Sequence, residues 1–365
     1  MSIQRTATAS VCLLFLSLQP PGDAAPAPQP TPPKLLFVLR QREALNFWAA
    51  FSPDGKTLAT AARDGSVQLW DVATGKSLLS PRGHARNARV VVFSPDGKTL
   101  ASGGEEGKPG SQDHAIRVWE ISSGKSLFTL ARPSASPAFL ALAFNPDGKT
   151  LLSAGSAGIV LWDLQTRKER LVVHVGKRPE PVKVPPPGFD PLKGPVVEGG
   201  DCLGPNCVAF TLEGKPLAVS TNSDTLTIRH LATGKKTVIE TGLTSTPDCL
   251  AFSPDRRTLA AVAYQSVRLW DVASGKEVTR FKYTTQITAV EFSPDGKMLA
   301  VASNEPRPTK EAVRLLEVSS GKVLATLTGH TRGICCVAFS PDGKILASAA
   351  GDQTVRVWDI SGVRK

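Results

Sequence analysis

A hexapeptide returns along this chain. Phe-Ser-Pro-Asp-Gly-Lys stands at 51–56, 93–98, 292–297 and 339–344, and a near copy runs from Phe144 to Lys149 with Asn145 in place of Ser. Two decayed copies start at Phe210 and Phe252. Successive phenylalanines of the seven copies are 42, 51, 66, 42, 40 and 47 residues apart. A repeat of this length is one supersecondary unit that cannot bury its apolar side alone, so the copies must stack. Pro presets φ and Gly accepts φ > 0, so each Pro-Asp-Gly makes a tight turn. The flanking runs are rich in Val, Leu, Phe and Ala with little polar alternation, which predicts strands buried on both faces.

Past each turn comes a second signal. A short β-branched run ends in Trp-Asp or a relative at Val67–Asp71, Ile116–Glu120, Ile159–Asp163, Val267–Asp271 and Val355–Asp359. Gly-Lys turns follow at Gly75, Gly124, Gly234, Gly275 and Gly321, each leading into a further apolar run. In register over residues 34 to 360, these signals resemble the WD-repeat family, and the Ser-Pro-Asp-Gly-Lys turns resemble its bacterial exported members. The resemblance implies an all-β fold: a seven-bladed β-propeller of four-stranded antiparallel blades. The last repeat stops at Ile360 without an outermost strand, whereas Lys34–Leu39 reads like Lys125–Leu130. Residues 34 to 40 are therefore expected to complete the blade built from 334 to 360, the interlocked closure that the resemblance implies.

The remaining organisation is read from composition. A chain of 365 residues suits a single ring of this kind. Residues 1–25 have a signal-peptide layout: Arg5, an apolar stretch from Ala7 to Leu18, then Ala24 and Ala25. About a dozen apolar residues are too few to span a membrane. A retained anchor stays open as an alternative, as does lipid attachment at Cys12, although Cys12 precedes the main apolar run. Residues 26–33 form a Pro-rich spacer. Residues 34–365 form the single propeller, with a surface-loop insertion at about 177–206 that contains Pro185, Pro186 and Pro187. The mature product is expected to be a monomeric ring without a transmembrane segment, in the periplasm, the cell envelope or the medium.

Export would place the cysteines in an oxidising compartment. Cys207, Cys249 and Cys336 each stand three residues before a repeat phenylalanine, where other copies have Trp48, Val90, Ala141 and Ala289. That equivalence points to packed thiols. The alternative for Cys207 is a disulfide with Cys202 that pins the insertion. Cys335 and Cys336 are adjacent on a strand and point to opposite faces. No zinc-type spacing of Cys and His occurs.

The family resemblance also implies hydrogen-bonded tetrads inside blades. His330, Ser348, Asp352 and Trp358 make a full set, and His84, Ser102, Asp113 and Trp119 make a second. The first repeat has Thr60, Asp64 and Trp70, but Gln41 or Arg42 fills the His place. A His-Ser-Asp grouping invites a catalytic reading. Nucleophilic catalysis, however, needs an exposed Ser beside an oxyanion site, and the family buries these groups as satisfied networks. No catalytic residue, metal site or cofactor is expected.

The net charge is +11. Much of it is repetitive, because a Lys or Arg follows each turn and the turn aspartates largely offset it. The opposite face, built from the loops before each repeat's first strand and before the Trp-Asp strand, carries Arg42, Arg82, Arg86, Arg89, Arg132 and Arg332, with Phe139, Tyr264 and Tyr283. Arg with aromatic residues suits an interface, although scattered surface cations would look the same. Aromatics make up 6% of the chain and form no stacking platform, so nucleic acid is not an expected partner. The expectation is a non-enzymatic scaffold outside the cytoplasm that binds protein partners on this loop face. One alternative is a polyanion or small-ligand binder using the arginines; another is a hydrolase or lyase at the central mouth.

Overall fold

A computed structural model describes residues 31–41, 46–105, 114–131, 139–155, 158–175, 197–199, 203–210, 214–221, 225–241, 247, 249–263, 265–304 and 311–363. The hexapeptide sets the pattern. In the first copy the Ser52 hydroxyl donates to Asp54 Oδ1 at 2.6 Å, Lys56 N–H donates to the same oxygen at 3.0 Å, and Thr57 N–H donates to Ser52 Oγ at 2.9 Å. The same bonds recur around Asp96, Asp255, Asp295 and Asp342. The serine hydroxyl, then the backbone N–H, holds the Asp54, Asp96 and Asp255 carboxyls below their ordinary value. Gly55 adopts φ 70°, which favours glycine, and a Cβ there would lie 3.6 Å from Pro341 Cδ of the neighbouring turn. Pro53 rests on Gly97, Pro254 on Gly296 and Pro294 on Gly343 in the same way. Each such turn therefore reverses its own chain and packs on the next turn.

The strands run in chain order as β1 (Lys34–Arg40), β2 (Asn46–Phe51), β3 (Thr57–Ala62), β4 (Val67–Asp71), β5 (Ser77–Leu79), β6 (Arg86–Phe93), β7 (Thr99–Glu105), β8 (His114–Glu120) and β9 (Ser126–Ala131). There follow β10 (Phe139–Phe144), β11 (Thr150–Gly155), β12 (Gly158–Asp163), β13 (Lys168–Val175), β14 (Val197–Gly199), β15 (Leu203–Phe210), β16 (Pro216–Thr221), β17 (Thr225–His230) and β18 (Lys236–Glu240). The last are β19 (Cys249–Phe252), β20 (Thr258–Ala263), β21 (Ser266–Asp271), β22 (Glu277–Lys282), β23 (Gln286–Phe292), β24 (Met298–Asn304), β25 (Glu311–Glu317), β26 (Val323–His330), β27 (Ile334–Phe339), β28 (Ile345–Ala350) and β29 (Thr354–Asp359).

The expectation of seven four-stranded antiparallel blades is corrected by the sheet topology. Six sheets are four-stranded antiparallel blades: β2–β5, β6–β9, β15–β18, β19–β22, β23–β26, and the set β1-β29-β28-β27. The remaining sheet has five strands, β10 to β14, and its edge pair β13–β14 is parallel. The physical reason lies in the inserted segment, expected to be loop alone. Its Val197–Gly199 returns alongside β13, with Val173 opposite Val197, and satisfies part of an otherwise open strand edge.

First strands touch in a cycle, β2 to β6, β10, β15, β19, β23, β27 and back to β2, which closes the ring. The closing blade takes its outermost strand from the other end of the chain. β1 pairs antiparallel with β29, Lys34 opposite Asp359 and Arg40 opposite Thr354. Apolar cores lie between neighbouring sheets rather than at one centre. Leu39, Leu58 and Trp70 pack with Ala347, Val355 and Val357 across the closure, and Leu69 and Val91 pack with Trp119 across the next junction. Fully burying one such Leu or Val contributes about 1.5–3 kcal/mol. Many side chains of this kind distribute the stability around the ring.

Candidate functional site

In an antiparallel meander, connections alternate between the two ends of a sheet. The hexapeptide turns, between first and second strands, therefore lie at one end of the ring. The turns between second and third strands share the other end with the entries to the next first strands. Contacts at this loop end join neighbouring blades: Asn87 N–H donates to Arg63 O at 2.8 Å, and a Cβ on Gly65 would lie 2.4 Å from His84 O.

The closing blade brings its tetrad together. His330 Nδ1 lies 2.9 Å from Asp352 Oδ2, and His330 Nε2 lies 2.8 Å from Ser348 Oγ, which also receives Trp358 Nε1–H at 3.2 Å. Ser348 is 0% exposed and His330 2%. Burial pushes the Asp352 carboxyl up, but hydrogen bonds from His330, Thr354 and Thr331 outweigh it and hold the group well below its ordinary value. In the second blade, His84 Nε2 and Trp119 Nε1 each lie 2.7 Å from Ser102 Oγ, and Asp113 lies outside the described residues.

The first blade settles which residue fills the His place. Gln41 accepts Thr60 Oγ1–H at 2.9 Å and donates to Ser66 Oγ at 2.7 Å, while Trp70 Nε1 donates to Thr60 at 3.0 Å. Ser66 in turn donates to Asp64 at 2.5 Å. In the β23–β26 blade Leu316 stands where five others have Trp, and Arg314 Nη1 takes over as donor to Ser303 Oγ at 2.8 Å.

The residues expected on the loop face meet different fates. Arg42, Arg132 and Tyr264 lie outside the described residues, and Phe139 opens β10. Arg82 and Arg332 are exposed. Arg86 and Arg89 open β6 half-buried, each with a buried Nε and each engaged with other groups of the chain, so neither is a free surface cation. Tyr283 is half-buried with the Arg314 guanidinium 5.9 Å from its ring centroid, and burial pushes its hydroxyl up to about 12. Cys202 lies outside the described residues, so its bond to Cys207 does too. Cys249 and Cys336 are in no disulfide, and their Sγ atoms lie 3.9 Å from Val290 O and 3.7 Å from Ala49 O of the neighbouring first strands. Cys335 is exposed while adjacent Cys336 is buried.

One group escaped the sequence reading. Glu291 on β23 accepts the Phe339 N–H of β27 at 2.8 Å, and burial pushes its carboxyl up to about 8. A signal was available, since the residue before the repeat phenylalanine is otherwise Ala50, Val92, Ala143, Ala209, Ala251 or Ala338. Among the described residues, no group of three or more His, Cys, Asp or Glu could hold a metal ion. Nor is any described helix long and apolar enough to cross a membrane.

The family model described as "WD domain, G-beta repeat" matches residues 42–71, 75–120, 124–163, 238–271, 275–305 and 321–359, more than half of the chain. The unmatched stretch between 163 and 238 holds the insertion and the decayed copy at Phe210. The chain is similar to "Periodic tryptophan protein 2" of Arabidopsis thaliana, 28% identical over 73% of this chain and 26% of the relative. It is similar to "WD repeat-containing protein 26 homolog" of Drosophila melanogaster, 26% identical over 86% of this chain and 45% of the relative. "Transducin beta-like protein 3" of Bos taurus is 26% identical over 85% of this chain and 36% of its own length. The chain thus spans less than half the length of these three relatives, all of them eukaryotic.

Proposed function

This chain belongs to the WD-repeat family, and from that premise we propose that it is a non-enzymatic scaffold outside the cytoplasm that binds protein partners through the loop end of its ring. One observation carries the reading. The His-Ser-Asp grouping most able to do chemistry is closed on itself, with Ser348 fully buried and its Oγ already receiving the Trp358 indole N–H. A substrate carbonyl has no approach to that hydroxyl. What remains is a rigid ring that presents many loops at one end, a surface suited to macromolecular recognition. The polyanion alternative draws less support, because Arg86 and Arg89 are half-buried and engaged, which leaves Arg82 and Arg332 as the exposed arginines among the described residues of that face.

Export rests on the leader layout of residues 1–25 and the Pro-rich spacer at 26–33, and a bacterial exported type rests on the Ser-Pro-Asp-Gly-Lys turns. Residues 26–365 immobilised against envelope extract test the scaffold, beside Arg332→Glu and a turn-end control, Lys98→Glu. A defined protein retained by the parent and the control but lost with Arg332→Glu is the expected result. Equal retention by all three would sink the proposed face. N-terminal sequencing of the exported fraction tests the location, and uncleaved protein confined to the cytoplasm would count against it.

A further inference from the structure

A cavity of about 330 Å³ opens in the first blade beside Trp70, with Asp64, Gln68, Ser77 and Ser80 in its lining and Arg40 and Arg82 at its rim. The residue two before each Trp position explains why it exists. Four other blades place an arginine there, Arg117, Arg268, Arg314 and Arg356, whereas β12 and β17 place Val160 and Ile228. Arg356 Nη2 donates to Gly329 O at 2.9 Å, and Arg268 Nη1 donates to Thr241 O at 2.5 Å. Both carbonyls lie where the chain enters the arginine's own blade. The Arg117 guanidinium lies 6.0 Å from the Trp119 ring centroid. The first blade has Gln68 instead, and its shorter side chain is tied to the outer strand, donating to Ser77 Oγ at 2.5 Å and to Leu79 O at 2.8 Å.

We propose that this cavity receives a guanidinium group from outside the chain, standing where four other blades place their own. The inner wall is selective because its buried donors are already engaged. Gln68 Nε2 is held as above, and Gln41 Nε2 donates to Ser66 Oγ at 2.7 Å. Acceptors remain. Gln68, 9% exposed, accepts no described donor at Oε1, and Asp64 has only Oδ1 engaged by Ser66. A guanidinium carries five donors and no acceptor, and its plane suits an aromatic face such as that of Trp70. Arg40 and Arg82 oppose a cation and the Asp64 carboxylate favours it. All three are exposed, so water and salt screen them alike, and the neutral Gln68 acceptor and the Trp70 face carry the recognition. The site depends on the scaffold reading only for its source of arginine: a partner's side chain or the free amino acid presents the same group.

The test is saturation-transfer NMR on the full chain with Nα-acetyl-L-arginine amide, Nα-acetyl-L-lysine amide and free L-arginine, with inorganic phosphate followed separately by broadening of its phosphorus-31 line. Saturable transfer to the capped arginine, strongest at its Cδ protons and about tenfold weaker for the lysine probe, is expected from the fork geometry. Gln68→Arg should fill the cavity from within, abolish the signal and raise the melting temperature. Ser80→Trp should plug the mouth while leaving the buried bonds intact, so it decides the matter if Gln68→Arg does not fold. Binding of the capped residue assigns a partner's side chain; binding of free arginine alone assigns the amino acid. The proposal is overturned by no saturable signal from either arginine, by equal response to lysine, by signals undiminished in the variants, or by phosphate binding in their place. The probes are single residues, so this result stands whether or not a protein partner is found.

Discussion

Replacing Glu291 by glutamine isolates one titration at the heart of the ring. Burial lifts this carboxyl from 4.5 to about 8 while its Oε2 accepts the Phe339 N–H. The folded value lies above the unfolded one, so the folded state holds the extra proton. The contribution to stability is therefore intact below about pH 4.5, declines as pH rises, and levels off above about pH 8. At 1.36 kcal/mol per unit the whole span corresponds to about 5 kcal/mol. Water reaches part of the Glu291 side chain, so we expect about half of that, ~2–3 kcal/mol. Glutamine keeps an acceptor for Phe339 and never ionises. Variant and parent should then unfold within about 1 kcal/mol of each other at pH 5, and the variant should be ~2–3 kcal/mol more stable at pH 9. Urea unfolding followed by tryptophan fluorescence at pH 5, 7 and 9 measures the difference, and groups common to both proteins cancel. A difference that does not change with pH, or a variant weaker at pH 9, would refute the reasoning.

Two further outcomes follow from the closing blade. Ser348→Ala leaves the Trp358 indole N–H without its buried partner, while His330 Nε2 keeps Ser348 O at 3.2 Å; at about 1–3 kcal/mol per orphaned group, a stability loss of ~1–3 kcal/mol is expected in urea unfolding, and a midpoint unmoved would show that the network is dispensable. Deleting residues 34–40 strips the partner strand from β29 and removes Leu39, only 5% exposed, from its core. Truncating a buried Leu alone costs about 2–5 kcal/mol, so the melting temperature should fall sharply; an unchanged melt would rule out β1 as the closure.

Much of this architecture is legible in the sequence because each repeat carries its own instructions. Pro53-Asp54-Gly55 reads as a turn on φ preferences alone. The likeness of Lys34–Leu39 to Lys125–Leu130 identifies the strand that pairs with β29. His330, Ser348, Asp352 and Trp358 meet because their spacing follows the strand register. The fifth strand at Val197–Gly199 was not legible. It is held by backbone pairing with Val173–Val175, and its surroundings in a Pro- and Gly-rich stretch give no side-chain alternation to read. The choice of Gln41 over Arg42 for the His place depended on a side chain that accepts from Thr60 and donates to Ser66, which an amide does and a guanidinium does not. The cavity beside Trp70 left the faintest trace, because it comes from a side chain that is too short. Gln68 is unremarked alone and becomes informative only beside Arg117, Arg268 and Arg356.

The clasp between β1 and β29 has a mechanical consequence. Lys34 lies opposite Asp359, and beyond it Thr31 N–H bonds to Gly362 O at 2.8 Å, so the flanking chain enters and leaves at the same end of the pair. Tension applied between residues before 31 and after 363 would load these bonds one at a time, like a zipper, rather than together in shear. Loading bonds in sequence takes less force than loading them together, so under tension the ring would open first at this one seam, while its cores remain spread over all the junctions. A tether at both ends would convert that seam into the point where the molecule yields.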